Sequence, residues 1–125
     1  MLDVSTDLSN LLSDNSLLAT RLYLGGDWVD GQLGEIDVTN PARGDVVAQV
    51  ADASRDQISE AIDKAYVAQK DWAARTAKER ANILRKWFDL MVAHADDLAA
   101  ILTAEQGKPI AEAKGEILYL SLIHI

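Results

Sequence analysis

Residues 36–62 read IDVTNPARGDVVAQVADASRDQISEAI, and the hydrophobic period changes within them. Ile36 and Val38 alternate with Asp37 and Thr39, the period of a half-buried strand. Asn40-Pro41-Ala42-Arg43-Gly44 is a turn: Asn bonds its own backbone, Pro fixes φ and Gly permits a left-handed exit. Val46 to Val50 returns as a second strand. At Ser54 the period lengthens. Ser54 with Gln57 three residues on makes a capping box, and Ile58, Ala61, Ile62, Ala65, Tyr66 and Gln69 follow at helical spacing, to an end near Trp72.

Upstream, RLYLGGDWVDG (residues 21–31) sets apolar residues on both sides of Gly25-Gly26-Asp27, a hairpin with glycines at the turn. Before it, residues 1–20 are rich in Ser, Asp, Asn and Leu. Leu8, Leu11 and Leu12, then Leu17 and Leu18, predict short helical turns, the second capped by Asn15 or Ser16, packed loosely on a body elsewhere. Downstream, Thr76 and Glu79 form a second capping box ahead of a stripe of Arg80, Ala81, Leu84, Trp87, Phe88 and Met91. A third helix starts near Ala95, with Asp96 and Asp97 against its N-terminal dipole, and carries Leu98, Ile101 and Leu102. Gly107 suits its C-terminal exit. Pro109 opens a fourth helix at its first position, which carries Ile110, Ala113 and Ile117. The fold class is α/β: short strand hairpins, then about four helices. Two small hairpins make no stable sheet alone, and the second and fourth of these helices present apolar faces that need cover. The layout is the opening of a larger domain.

The totals limit function. The chain has 125 residues, 49% apolar and 26% charged, with a formal net charge of −8. That charge, with scattered basic residues, argues against a nucleic-acid partner. No stretch reaches the roughly 18 apolar residues of a membrane span, and the acidic N-terminus is no signal peptide, so the expected setting is the cytoplasm. There is no cysteine, hence no disulfide, thiolate metal site or cysteine nucleophile within the chain. His94 reads as a helix-end residue whose ring favours terminal carbonyls, and His124 carries no weight. Asp96 and Asp97 are adjacent, so they share no helix face and make no acid–base dyad. Gly25-Gly26 precedes no helix, and Gly107-Lys108-Pro109 lacks the first glycine and the hydroxyl residue of a P-loop. Trp28, Trp72 and Trp87 read as core or interface anchors. The residues offer no catalytic and no cofactor-binding side chain.

Four stretches taken together resemble one family: LYLGGDWVDG (22–31), IDVTNPARGDVVAQV (36–50), ISEAIDKAYVAQKDWAARTAKERANILRKWFDLM (58–91) and LTAEQGKPIAEAKGEI (102–117). Their order and spacing are similar to the N-terminal part of the NAD(P)-dependent aldehyde dehydrogenase superfamily. TAKERANILRKWFDLM and EQGKPIAEAKGEI resemble most the bacterial succinate-semialdehyde dehydrogenases. The resemblance implies a protein several times longer, with a Rossmann-like cofactor domain, a catalytic domain and an oligomerisation flap. Residues 21–119 correspond to the opening of the cofactor domain and residues 1–20 to an extension before it. The implied activity oxidises succinate semialdehyde or a related small aldehyde to the acid with NAD or NADP, in a homo-oligomer (dimer or tetramer). A cysteine thiolate attacks the aldehyde, hydride passes to the nicotinamide, and water releases the acid. None of those roles falls on a residue of this chain, which is expected to be inactive alone.

One supporting role transfers by resemblance. Some members hold a structural monovalent cation with backbone carbonyls before the Asn-Pro turn and a carboxylate before Gly-Lys-Pro. The matching positions are Val38, Thr39 and Glu105, with Glu where many members have Asp. The preferred reading of Glu105 is a solvent-facing or helix-capping acid. Residues 120–125, LSLIHI, depart from the family pattern and are expected to be a foreign tail on a sequence cut short. Outside the enzyme reading stand two others, a helical interaction module and a remnant without activity.

Overall fold

The computed structural model describes residues 4–123, with side chains from residue 8 to residue 119. Helix α1 (Val4–Leu11) and a 3-10 turn (Asn15–Leu17) lead into four strands, β1 (Leu22–Leu24), β2 (Asp27–Val29), β3 (Glu35–Thr39) and β4 (Val46–Ala51). Four helices follow: α2 (Arg55–Ala74), α3 (Ala77–Ala93), α4 (Ala95–Gln106) and α5 (Ile110–Ile123). The strands pair only as two separate antiparallel hairpins, β1 with β2 and β3 with β4. This is the expected α/β order.

Each hairpin follows its turn chemistry. Gly25 and Gly26 take φ of 62° and 100°, the left-handed pair that a two-residue turn needs. Tyr23 faces Trp28 across β1 and β2, with ring centroids 5.1 Å apart. In the β3–β4 turn, the Asn40 side chain accepts the Ala42 N–H at 2.9 Å, and the Asn40 carbonyl accepts from Gly44 at 2.7 Å. The register shifts between Val38 and Thr39, leaving Val47 of β4 as the extra residue of a bulge just after this turn.

Both capping boxes form. Ser54 caps α2 with Gln57, and Thr76 caps α3 with Glu79. Gly107 ends α4 with φ 79°. Pro109 stands just outside α5, where its carbonyl accepts the Ala113 N–H. His94 joins α3 to α4 through its backbone: its N–H donates to Leu90 and its carbonyl accepts from Leu98. It stands at the end of α3, as expected, and its side chain makes no capping bond to the start of α4.

Burial is uneven. α4 packs on α5, and Ala99 and Ala113 are fully buried because small side chains let the two helices approach closely. α3 packs on α5 with Leu84, Phe88 and Met91 half-buried, while Trp87 stays exposed. Leu8, Leu12 and Val47 form a second cluster against Ala100, Ile101 and Ala104. The N-terminal segment therefore packs on this chain's own β4 and α4, not loosely on a body elsewhere. Its 3-10 turn is capped by Asp14 rather than by Asn15 or Ser16. Among the described residues α2 buries only Gln57, and Ile58, Ile62 and Tyr66 form an exposed apolar stripe along it. The sequence assigned uncovered faces to α3 and α5; Trp87 and Leu90 of α3 and Ile110 of α5 are exposed, and α2 is bare as well. In the expected tail, residues 120–123 continue α5, and His124 and Ile125 lie outside the described residues.

Candidate cation site and its surroundings

The β3–β4 turn and the end of α4 meet. A Cβ placed on Gly107 would lie 2.7 Å from Pro41 Cγ, so glycine lets the end of α4 seat against the proline ring, and its φ of 79° favours glycine too. This contact sets the turn that follows Val38 and Thr39 beside the end of α4. The register shift falls between Val38 and Thr39, where the ladder breaks. Glu105 itself is exposed. Among the described residues no group of three or more His, Cys, Asp or Glu is arranged to hold a metal ion. Two carbonyls and one exposed carboxylate do not close a site by themselves, since tight cation binding needs several oxygens held together.

Beside this junction lies a groove of about 350 Å³ between α1, the β3–β4 turn and α4. Leu8, Leu11, Ala42, Val47, Ala104 and Ile110 make its walls apolar. Gly25 and Gly26 sit in a hairpin against α2, where a Cβ on Gly25 would strike Lys64 Cδ at 2.4 Å, and no helix N-terminus follows them.

Two polar side chains named from the sequence make long-range bonds that the sequence reading did not foresee. Gln57 is buried, and its amide works in three directions. Its Oε1 accepts the N–H of Gln32 at 2.9 Å and of Ser54 at 3.1 Å, and its Nε2 donates to the Asp30 carbonyl at 2.9 Å. The capping residue thereby fastens α2 to the loop after β2. Asp97, read as a first-turn charge, is also buried. Its two carboxylate oxygens accept the backbone N–H groups of Ser13 and Asp14, each at 3.0 Å. The Ser13 N–H foremost, and then that of Asp14, hold the Asp97 carboxyl below the usual carboxylate range against the opposing effect of burial. Asp96 points the other way and pairs with Lys114.

The aldehyde dehydrogenase family model matches residues 28–123. The chain is 53% identical over 109 residues to succinate-semialdehyde dehydrogenase [NADP(+)] of Escherichia coli (strain K12), covering 86% of this chain and 23% of that protein. It is 50% identical over 109 residues to glutarate-semialdehyde dehydrogenase of Pseudomonas aeruginosa, again covering 86% of this chain and 23% of the relative. Among solved structures, an aldehyde dehydrogenase from Brucella melitensis biovar abortus 2308 superposes with a TM-score of 0.87 at 54% identity, covering 90% of this chain and 24% of that one. The chain thus spans about a quarter of the length of the relatives it matches.

Proposed function

The chain belongs to the aldehyde dehydrogenase family, and on that footing we propose that it is the opening segment of an oxidoreductase that oxidises succinate semialdehyde, or a closely related small aldehyde, with NAD(P)+. The observation that carries the reading is the 53% identity to the Escherichia coli relative over most of the chain. Succinate and glutarate semialdehyde, named for the first two relatives, are aldehydes bearing a carboxylate, so one substrate class covers both. The segment's part in that enzyme is structural. With no cysteine in the sequence, it offers no thiolate nucleophile, and the nicotinamide cofactor belongs to the longer protein. When bound, that cofactor accepts the hydride; the residues described here supply the helices and hairpins around its domain. The monovalent cation of Val38, Thr39 and Glu105 is a subsidiary proposal for the longer protein, where further oxygens would have to complete the set. Assembly of that protein into a homo-oligomer belongs to the same reading.

The experiment is an assay of the purified 125-residue chain with succinate semialdehyde and either NAD+ or NADP+, followed by nicotinamide absorbance. No reduction is expected above a protein-free blank. Turnover that survives repurification would show that the chemistry resides in this segment and would overturn the proposal.

A further inference from the structure

We propose that residues 4–18 form a strap that docks and releases as one unit, with Asp97 as its latch. This does not depend on the catalytic reading. Among the described residues, an apolar cluster that Leu18 also packs against and a buried carboxylate hold the strap to the body. Leu8 and Leu12, one helical turn apart, are both buried against Val47, while Leu11 between them is 70% exposed. Just beyond α1, the Ser13 and Asp14 amides converge on the Asp97 carboxylate, one on each oxygen. A carboxylate receiving two N–H groups makes charge-assisted bonds, stronger than neutral ones, and both end on a single side chain.

The segment has little to keep its shape once released. An eight-residue helix is too short to persist in water without packing. The limit of the moving unit is also set: the Thr20 carbonyl accepts the Ala51 N–H at 2.8 Å, tying the chain to the end of β4. Ala19 and Thr20 are then the hinge. Release would remove Leu8 and Leu11 from the wall of the apolar groove and uncover Val47 and Ala104. Such a unit opens at a lower free energy than the α4–α5 pair, because it is joined to the rest through a few localised contacts.

Residue-resolved hydrogen exchange on the full 125-residue chain tests this with two variants that attack the strap at opposite ends. Asp97→Asn keeps the shape but leaves one oxygen for two donors. Leu8→Ala removes an apolar anchor and leaves Asp97 intact. Each is expected to speed exchange of the Ser13 and Asp14 amides and of the α1 amides by about tenfold or more, while amides in the middle of α4 and α5 keep their protection. The proposal is overturned if Asp97→Asn leaves α1 exchange unchanged. It is equally overturned if Leu8→Ala leaves Ser13 and Asp14 protected, since the segment then does not move as a unit. Loss of protection across α4 and α5 in step with α1 would make the strap part of the global core and overturn it too.

Discussion

Gln57 shows how much one side chain can do beyond its local role. A glutamine at the third helical position completes a capping box by bonding back to the residue that caps the helix. Here the same amide also accepts from Gln32 and donates to Asp30, so the helix start and the loop after β2 share one fixing point. Truncation would strand a carbonyl and two N–H groups in a partly buried setting. Gln57→Ala should destabilise the chain by about 2–3 kcal/mol, given the cost of unsatisfied buried polar groups. Gln69→Ala, on the exposed part of α2, should change stability by no more than about 0.5 kcal/mol. Urea unfolding of the two variants measures both. The box itself was legible, because its members lie three residues apart. The bonds to residues 30 and 32 were not, because they depend on which loop the tertiary fold lays over the helix. Asp97 repeats the lesson over a longer span: Ser13 is 84 positions away, and no local pattern announces the pairing.

At the scale of the element, the secondary structure was readable wherever a local mechanism sets it. Hairpin glycines, the Asn-Pro turn, two capping boxes and the glycine after α4 all act within a few residues. What each helix covers was less readable, because a period of 3.6 marks an apolar face without saying whether its partner lies in the same segment. α2 and α3 illustrate the difference. Both carry apolar stripes, yet Leu84, Phe88 and Met91 of α3 are half-buried in a chain where Ile58, Ile62 and Tyr66 of α2 are exposed. If the α2 stripe has its partner in the longer protein, a polar substitution there should be silent in this chain. Ile62→Gln is expected to shift the unfolding free energy of the 125-residue chain by less than about 0.5 kcal/mol. In a full-length family member carrying this segment, the same change should cost about 1–3 kcal/mol, the usual penalty for burying an amide without a partner. Equal costs in both settings would contradict the assignment of that face.

At the scale of the whole molecule, the chain is a set of correctly started elements with a small interior. The apolar residues on its surface include Tyr66 at 69% and Leu90 at 60% exposure. Along α2, Ile58, Ile62 and Tyr66 share one exposed apolar stripe, and exposed apolar surface of this kind marks a face that another body covers. The candidate cation site fits the same picture: the turn and the helix end are in place, but Glu105 stands exposed and the set is open. The family was legible from four motifs in order. The activity was not readable from the chain's own chemistry, because the sequence has no cysteine to serve as a thiolate nucleophile.

The most direct measurement transplants the segment. Residues 22–119 of this chain would replace the matching stretch of the Escherichia coli succinate-semialdehyde dehydrogenase, and NADP+-dependent oxidation of succinate semialdehyde by the purified chimera would be compared with that of the unaltered enzyme. If the segment is the opening of an aldehyde dehydrogenase cofactor domain, the chimera should fold and keep kcat/KM within about tenfold of the parent, a loss of less than about 1.4 kcal/mol in transition-state stabilisation. A soluble, folded chimera with no aldehyde oxidation would contradict the account.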